Sequence, residues 1–374
     1  MHSIIPAMQL IIDGHLDIAM NALTYERDQR LTVAQIRQRE AKLIGDEPGT
    51  CTTSIEEMRR ASVALAVTTV IARTKLGVQP ERLAPRYGLD HPTQDMAYAA
   101  AMGQLAYYLA LQMQGHVAII RNRAELAAHW AHWSQAVIHP RTPVGLIITM
   151  EGADPIVEPE EIHEWHAAGL RSLMMAHFGP SAYAHGTPGK SAPEDGPLFD
   201  KGRALLVEMA KLKMPLDLTH LSDRSFFEAV DCFEGVIYAS HSNCRAMVPS
   251  VRQLTDQQIR LIHEREGVIG IALHNGMLRR GDVEGARRRE VTLETVAIHI
   301  DHLCQLAGDA KHAAIGSDLD GGFGTEHSPS DLDTVNDLHK LAAMLKARGY
   351  SDADVGLILC GNWLRFWSEN LPEQ

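Results

Sequence analysis

Six apolar runs in this chain end in a histidine or a carboxylate: His15 and Asp17 in DGHLD, Glu151 in ITMEG, His177 in LMMAH, His220 in LDLTH, His241 in YASH and Asp318 in AIGSD. Nothing about core packing asks for such residues at each of those ends. His15 and Asp17 stand two apart, and side chains at i and i+2 of an extended strand share a face about 7 Å apart, so both can reach one metal ion. Glu151 follows a fully apolar run, where a carboxylate is costly to bury unless a cation or hydrogen bonds compensate. Three imidazoles (His15, His220, His241) and two carboxylates (Asp17, Glu151) are enough for two borderline-soft divalent ions, and the set matches zinc chemistry. Two such ions about 3.5 to 4 Å apart can bind one water and lower its pKa from 15.7 towards about 7.

A further carboxylate must then carry a proton to a leaving amine. Asp318 is the candidate. Asp320 is its rival, but it lies beyond the strand end and is better suited to capping the following loop. His177 ends its run without a paired acid, so ligand, polariser of a substrate carbonyl and structural residue all stand as readings. The DGGFG segment lacks the spacing of a phosphate loop and reads as a plain turn. His299 and His302, in a helical stretch, and His129, His132 and His139, near tryptophans, read as packing or surface residues.

The elements that must position these residues are eight candidate strands, at 10–15, 63–72, 144–152, 170–177, 215–220, 235–241, 267–274 and 312–318. Unbroken apolar runs separated by helical patterns suit parallel strands buried on both faces. One helix is expected at 95–114, with Met102, Leu105, Leu109 and Met113 as its stripe and Gly115 as its stop. Another is expected at about 330–347, with Leu338, Leu341 and Leu345 on one face. Eight βα units predict a closed (β/α)8 TIM barrel; an open doubly wound sheet is the competitor. HVAIIRN at 116–122 is expected as an accessory strand, and 19–60, 74–94 and 179–200 as loops or helical insertions. The whole chain, 1–374, reads as one catalytic domain, and in a barrel the strand ends that carry the polar residues converge on one face.

With 374 residues, 35 Lys+Arg, 47 Asp+Glu and a formal charge of −12, the chain is no nucleic-acid binder by composition. Its 45% apolar and 22% charged residues are those of a folded globular protein. Five widely spaced cysteines with no CxxC pair argue against a disulfide framework or zinc ribbon. No signal peptide, membrane anchor or transmembrane run is read, so the expected address is the cytoplasm. The expected partner is a small-molecule substrate, with a homo-oligomer left open.

Taken in order, DGHLD, MEGAD, LMMAH, LDLTHLSD, ASHSNCRAMVPSVRQLTD, GSDLDGG and GNWLRF resemble the membrane (renal) dipeptidase family of zinc peptidases, a branch of the amidohydrolase barrels. They run from residue 13 to 366. The resemblance implies that His15 and Asp17 hold one zinc, that His220 and His241 hold the other, and that Glu151 bridges them. It implies Asp318 as proton shuttle, His177 as polariser of the scissile carbonyl, and Arg252 as partner of the substrate's C-terminal carboxylate. Three departures stand out. His274 occupies a place where the family often has an aromatic residue. The segment IAMNALTYERDQRLTV lacks the apolar-aromatic wall seen in many members. The secretion, lipid anchor and disulfides of the animal members have no counterpart in this sequence.

The expectation is therefore a dipeptidase with two zinc ions per chain, acting on dipeptides with a free C-terminal carboxylate, a D-residue there included. A cyclic-amide or lactone hydrolase on the same barrel is the first competitor. Many of those bridge their metals with a modified lysine, and no lysine ends any of the eight runs. A metal-bound barrel without catalysis, acting as a binding protein, is the second.

Overall fold

A computed structural model describes residues 9–43, 49–75, 88–135, 139, 141–188, 195–281 and 290–373. Parts of the expected insertions (44–48, 76–87 and 189–194) and the N-terminal residues 1–8 read for a signal lie outside the described residues.

Each of the eight candidate runs contains a strand. They are β1 (Ile11–Leu16), β2 (Val63–Ile71), β3 (Val144–Glu151), β4 (Leu170–Met174), β5 (Leu216–Asp217), β6 (Ile237–Tyr238), β7 (Ile269–Ile271) and β8 (Ala313–Ile315). β1 to β6 form one parallel sheet in sequence order, and β7 pairs in parallel with β8. A parallel bridge from Ala239 to Ile269 continues β6 into β7. The Asp318 N–H donates to the His15 carbonyl at 3.1 Å and returns the last strand to the first. The fold is a (β/α)8 barrel. All residues of β1, β2 and β3 are buried, as strands covered on both faces require.

The last four strands are shorter than their apolar runs. Beyond Asp217 the chain leaves extended geometry, and His220 adopts φ +69°. Asp13 and Asp217 hold the strand ends in register. Asp13 accepts from the Ser317 N–H (2.8 Å) and the His15 N–H (3.3 Å), stitching β1 to β8. Asp217 accepts from the N–H groups of Thr219 (3.0 Å) and Ser240 (3.1 Å), stitching β5 to β6. The accessory strand is present as Val117–Ile119, paired in parallel with the first half of β3.

The helix expected at 95–114 runs Gln94–Met113, with Thr93 as its N-cap. Gly115 follows it at φ +77°, a conformation that favours glycine and ends the helix there. Its buried face follows the expected stripe only in part: Leu105 is buried and Met102 and Leu109 pack against the core. Ala97, Ala101, Gln104, Leu105, Tyr108 and Leu111 face inward, while Met113 is 88% exposed. The reason is polar: Gln104 clasps the Ile71 N–H and carbonyl, and the Tyr108 hydroxyl reaches the Thr69 carbonyl at 2.7 Å. Both residues tie the helix to the end of β2, and this rotates it. The helix expected at 330–347 is a 3-10 turn, Val335–His339, running into an α-helix, Lys340–Ala347, with Leu338, Leu341 and Leu345 buried as expected. The 19–60 segment holds helices Ile18–Thr24, Val33–Leu43 and Ile55–Arg60.

The C-terminal helix Asn362–Asn370 packs Trp363, Phe366 and Trp367 against Ile12, Leu65, Val67, Ile147, Tyr238 and Ala314 of the strands. Trp363 donates to the Ile315 carbonyl at 2.7 Å. Its ring lies so close to Gly14 that a Cβ there would sit 2.4 Å from it, which explains the glycine in DGHLD. All five cysteines are unpaired. Among the described residues no helix is long and apolar enough to cross a membrane.

Candidate active site

The barrel brings the strand-end residues together at one mouth, around a cavity of about 530 Å³ lined by Asp17, Glu151, His177, His220, His241, Arg252 and Asp318 among others. Glu151 sits at the centre. Its Oε2 lies 3.6 Å from His15 Nε2. Its Oε1 lies 3.2 Å from His220 Nε2, 3.6 Å from His241 Nε2 and 3.5 Å from His177 Nε2. Asp17 Oδ2 and Asp318 Oδ1 are each 3.8 Å from His15 Nε2.

Two features fit these residues to metal ions. Both ring nitrogens of His15 are buried without a hydrogen-bond partner among the described residues. His220 Nε2 and His241 Nε2 face each other at 3.1 Å, and each ring's other nitrogen already meets a hydroxyl: Thr187 at 3.2 Å for His220 and Ser240 at 2.9 Å for His241. Imidazoles whose Nδ1 is tied to a neighbour and whose Nε2 atoms converge on one carboxylate are the donor set of a borderline divalent ion. Three overlapping triads have their donor atoms within 4.8 Å of one another: His15 with Glu151 and His241, Glu151 with His177 and His220, and His15 with Asp17 and Asp318. The triads keep the expected pairing of His15 with Asp17 but place His220 and His241, expected together, in different sets. They keep Glu151 common to two sets, and they bring His177 and Asp318 within reach of the same donors.

The electrostatics follow from three carboxylates and four imidazoles under burial. Burial opposes the charge on His15, but Glu151 and Asp17 outweigh it and hold its pKa well above the ordinary histidine value. Burial, then neighbouring Asp17, raises Glu151. Burial, with Asp17 and Glu151 adding, pushes Asp318 well above the usual carboxylate range. His177, His220 and His241 are driven well below theirs, first by burial and then by neighbouring cations. A divalent cation would relieve the crowded carboxylates and accept the neutral imidazoles together.

Several contributors carry no signal in the sequence. The Thr69 hydroxyl donates to Asp17 Oδ1. Arg73 Nη1 donates to His177 Nδ1 at 2.8 Å, and Arg73 Nε is held by Asp90 at 2.7 Å. Arginine only donates, so Nδ1 of His177 accepts and the ring's proton sits on Nε2. Arg252 is fixed by the His241 carbonyl (2.8 Å) and the Ser242 hydroxyl (3.3 Å), and burial lowers it to about 10. It lines the cavity with no carboxylate partner among the described residues. His274 lines the cavity too, edge-on to Phe323 (4.8 Å) and stacked on His327 (5.3 Å). The missing apolar-aromatic wall is corrected: Met20 and Tyr25, from that very segment, line the cavity together with Ile71, Leu89 and Phe178. Asp320 is buried, 3.2 Å from Arg27, and takes no part in the mouth.

The model of the membrane dipeptidase family, peptidase family M19, matches residues 2–373 of the chain. The chain belongs to this family. Among solved structures, a metallopeptidase described as dipeptidase AC aligns with 98% of this chain and 100% of its own, at 25% identity and a TM-score of 0.75. A metallopeptidase from Rhodobacter sphaeroides, liganded with a phosphinate mimic of the dipeptide L-Ala-D-Ala, aligns with 97% of this chain and 99% of its own, at 26% identity and a TM-score of 0.74. An uncharacterised Klebsiella pneumoniae protein is 32% identical over 226 residues, 59% of this chain and 80% of its own length. Dipeptidase aclJ of Aspergillus oryzae is 29% identical over 201 residues, and the match spans 45% of that protein. Membership in this family gives the chain a metallopeptidase ancestry and the donor cluster a chemical context.

Proposed function

We propose that the protein is a zinc-dependent dipeptidase, cleaving the amide bond of dipeptides with a free C-terminal carboxylate, in a single barrel domain and in the cytoplasm. The observation that carries this reading is Glu151, with one oxygen towards His15 and the other towards His220 and His241. His15 and Asp17 would hold one ion, His220 and His241 the second, with Glu151 shared. Two zinc ions so held would supply Lewis acidity and a water acidified towards about pKa 7.

The chain's own residues do the rest. His177, neutral and protonated on Nε2, donates to the scissile carbonyl oxygen as negative charge develops there. Asp318 takes the nucleophile's proton and gives it to the departing amine; its raised pKa suits a group that must hold that proton between the two steps. Arg252 pairs its planar fork with the substrate carboxylate and so selects a free C-terminus. The Met20, Tyr25, Ile71, Leu89 and Phe178 wall keeps water from the amide. The ligand of the Rhodobacter relative supports acceptance of a D-residue at the C-terminal position.

The test is a steady-state screen of the zinc-loaded protein against L,L and L,D dipeptides, with N-acyl amino acids and lactones beside them. Hydrolysis of dipeptides, lost when their carboxylate is amidated, is the expected result. Two bound zinc ions with no turnover of any substrate would overturn it in favour of a binding protein.

A further inference from the structure

The buried carboxylate of Asp320 is left over by the proposed reaction. Both its oxygens are engaged. Oδ1 accepts from the Thr52 N–H (2.8 Å) and hydroxyl (2.7 Å). Oδ2 accepts from the Thr53 N–H (3.1 Å) and the Cys51 thiol (3.3 Å) and lies 3.2 Å from Arg27 Nη1. A carboxylate so saturated has no room for a substrate proton, so it is no rival to Asp318. It is more than a loop cap, because it joins segments from the two ends of the chain.

Its backbone is tied to the site. Asp318 and Asp320 both adopt left-handed φ, +57° and +64°, in one turn closed by the Gly321 N–H on the Asp318 carbonyl (2.9 Å). Asn21 donates through the same amide nitrogen to the Asp320 carbonyl (2.8 Å) and the Asp17 carbonyl (2.9 Å). Such conformations persist in non-glycine residues only where surrounding contacts hold them.

Arg27, 6% exposed, completes the arrangement. Its Nε binds Glu40 at 2.6 Å, its Nη1 binds Asn21 at 2.9 Å, and its guanidinium lies 5.5 Å over the Tyr25 ring. Tyr25, Gly322 and Phe323 line both the substrate cavity and a neighbouring cavity of about 260 Å³. Arg27 lines the smaller cavity beside Tyr25, and Gly322 and Phe323 follow directly on the Asp320 turn.

We propose that the Asp320–Arg27 pair is a positioning clamp, which fixes Tyr25 as a wall of the substrate cavity and holds the turn that carries Asp318. Neither residue touches the reacting atoms. The clamp sets how much room a substrate side chain has, because releasing Tyr25 merges the two cavities. The proposal takes its substrate from the dipeptidase reading; its geometry stands without it.

The test uses full-length Arg27→Met, Tyr25→Ala, the double variant and Asp320→Asn, each checked for zinc content and thermal unfolding. Arg27→Met and Tyr25→Ala are each expected to raise KM for dipeptides by about fivefold or more, with kcat within roughly twofold. The double variant should add less than about twofold to the larger single effect, because both act on one wall. Asp320→Asn should lower kcat as well, since it also releases the Asp318 turn. An unchanged KM in Arg27→Met, or fully additive KM effects, would overturn the clamp. If the wild type cleaves no dipeptide, the functional reading fails and hydrogen exchange decides the clamp: Arg27→Met should speed exchange in residues 18–30 and leave 63–71 as in the wild type. Identical exchange in both segments would sink it. Should Arg27→Met fail to fold, Arg27→Gln and Tyr25→Ala carry the same comparison.

Discussion

Glu151 Oε2 lies 3.6 Å from His15 Nε2, while Glu151 Oε1 lies 3.2 Å from His220 Nε2. One carboxylate thus divides its oxygens between the first strand's donors and those of β5 and β6. Glu151→Gln removes the charge both sides share. Metal content should fall to one ion per chain or fewer, and turnover should drop by at least about 100-fold. Elemental analysis after dialysis checks this, and two retained ions would end the bridging assignment.

Ser240 acts one layer out. Its hydroxyl is 2.9 Å from His241 Nδ1, orienting the ring whose Nε2 faces His220. Ser240→Ala should weaken metal affinity by roughly 10- to 100-fold with little change in thermal stability of the loaded protein. Competition with a chromophoric chelator measures it; equal affinity would make the serine a bystander.

Asp318→Asn keeps volume and removes the carboxylate. Turnover is expected to fall by about 10²- to 10⁴-fold with zinc still bound. Retained activity would remove Asp318 from the role of shuttle.

Arg73→Met frees Nδ1 of His177 and with it the ring's choice of tautomer. A drop in kcat of about tenfold with KM nearly unchanged is expected, since a donor to the developing charge acts in the transition state. Arg73→Lys should restore part of it. A pure KM effect would instead assign Arg73 to substrate binding.

Away from the mouth, His299 accepts the Cys244 N–H at 3.2 Å on Nδ1, and its Nε2 lies 3.1 Å from the Leu278 carbonyl. That geometry suits only the neutral ring, and burial lowers its pKa to about 4. Above pH 6.5 neither the folded nor the unfolded state is protonated there. Between pH 6.5 and 4 the unfolded chain binds a proton that the folded one refuses, so acidification removes stability, up to about 3 kcal/mol. Urea titrations of His299→Gln should show a slope against pH shallower than wild type by roughly 1.4 kcal/mol per unit within that window. An unaltered slope would show that the site is protonated when folded.

What was legible in the sequence was whatever core packing could not account for. Glu151 after a fully apolar strand, and histidines ending successive runs, stand out because a buried charge or imidazole needs a partner. The barrel was legible for a different reason: eight short, β-branched apolar runs separated by helical patterns suit parallel strands covered on both faces. Arg73 and Thr187 were not, because they sit in aperiodic segments where residue type alone says nothing of direction. The face of helix Gln94–Met113 is only partly the expected stripe, because Gln104 and Tyr108 turn inward to bond with β2 and Met113 turns out. Asp320 was misread because its partner Arg27 lies almost a whole chain away.

The contact of Gly14 with Trp363 has a kinetic meaning. His15 follows the glycine directly, so a proposed metal ligand is seated beside Trp363, an aromatic side chain far along the chain. Contacts of such sequence separation form late, after loop closure over the intervening chain. In the proposed enzyme His15 and Asp17 would therefore reach their final geometry only once the Trp363 contact has formed, and metal capture would be a late event of folding rather than its seed.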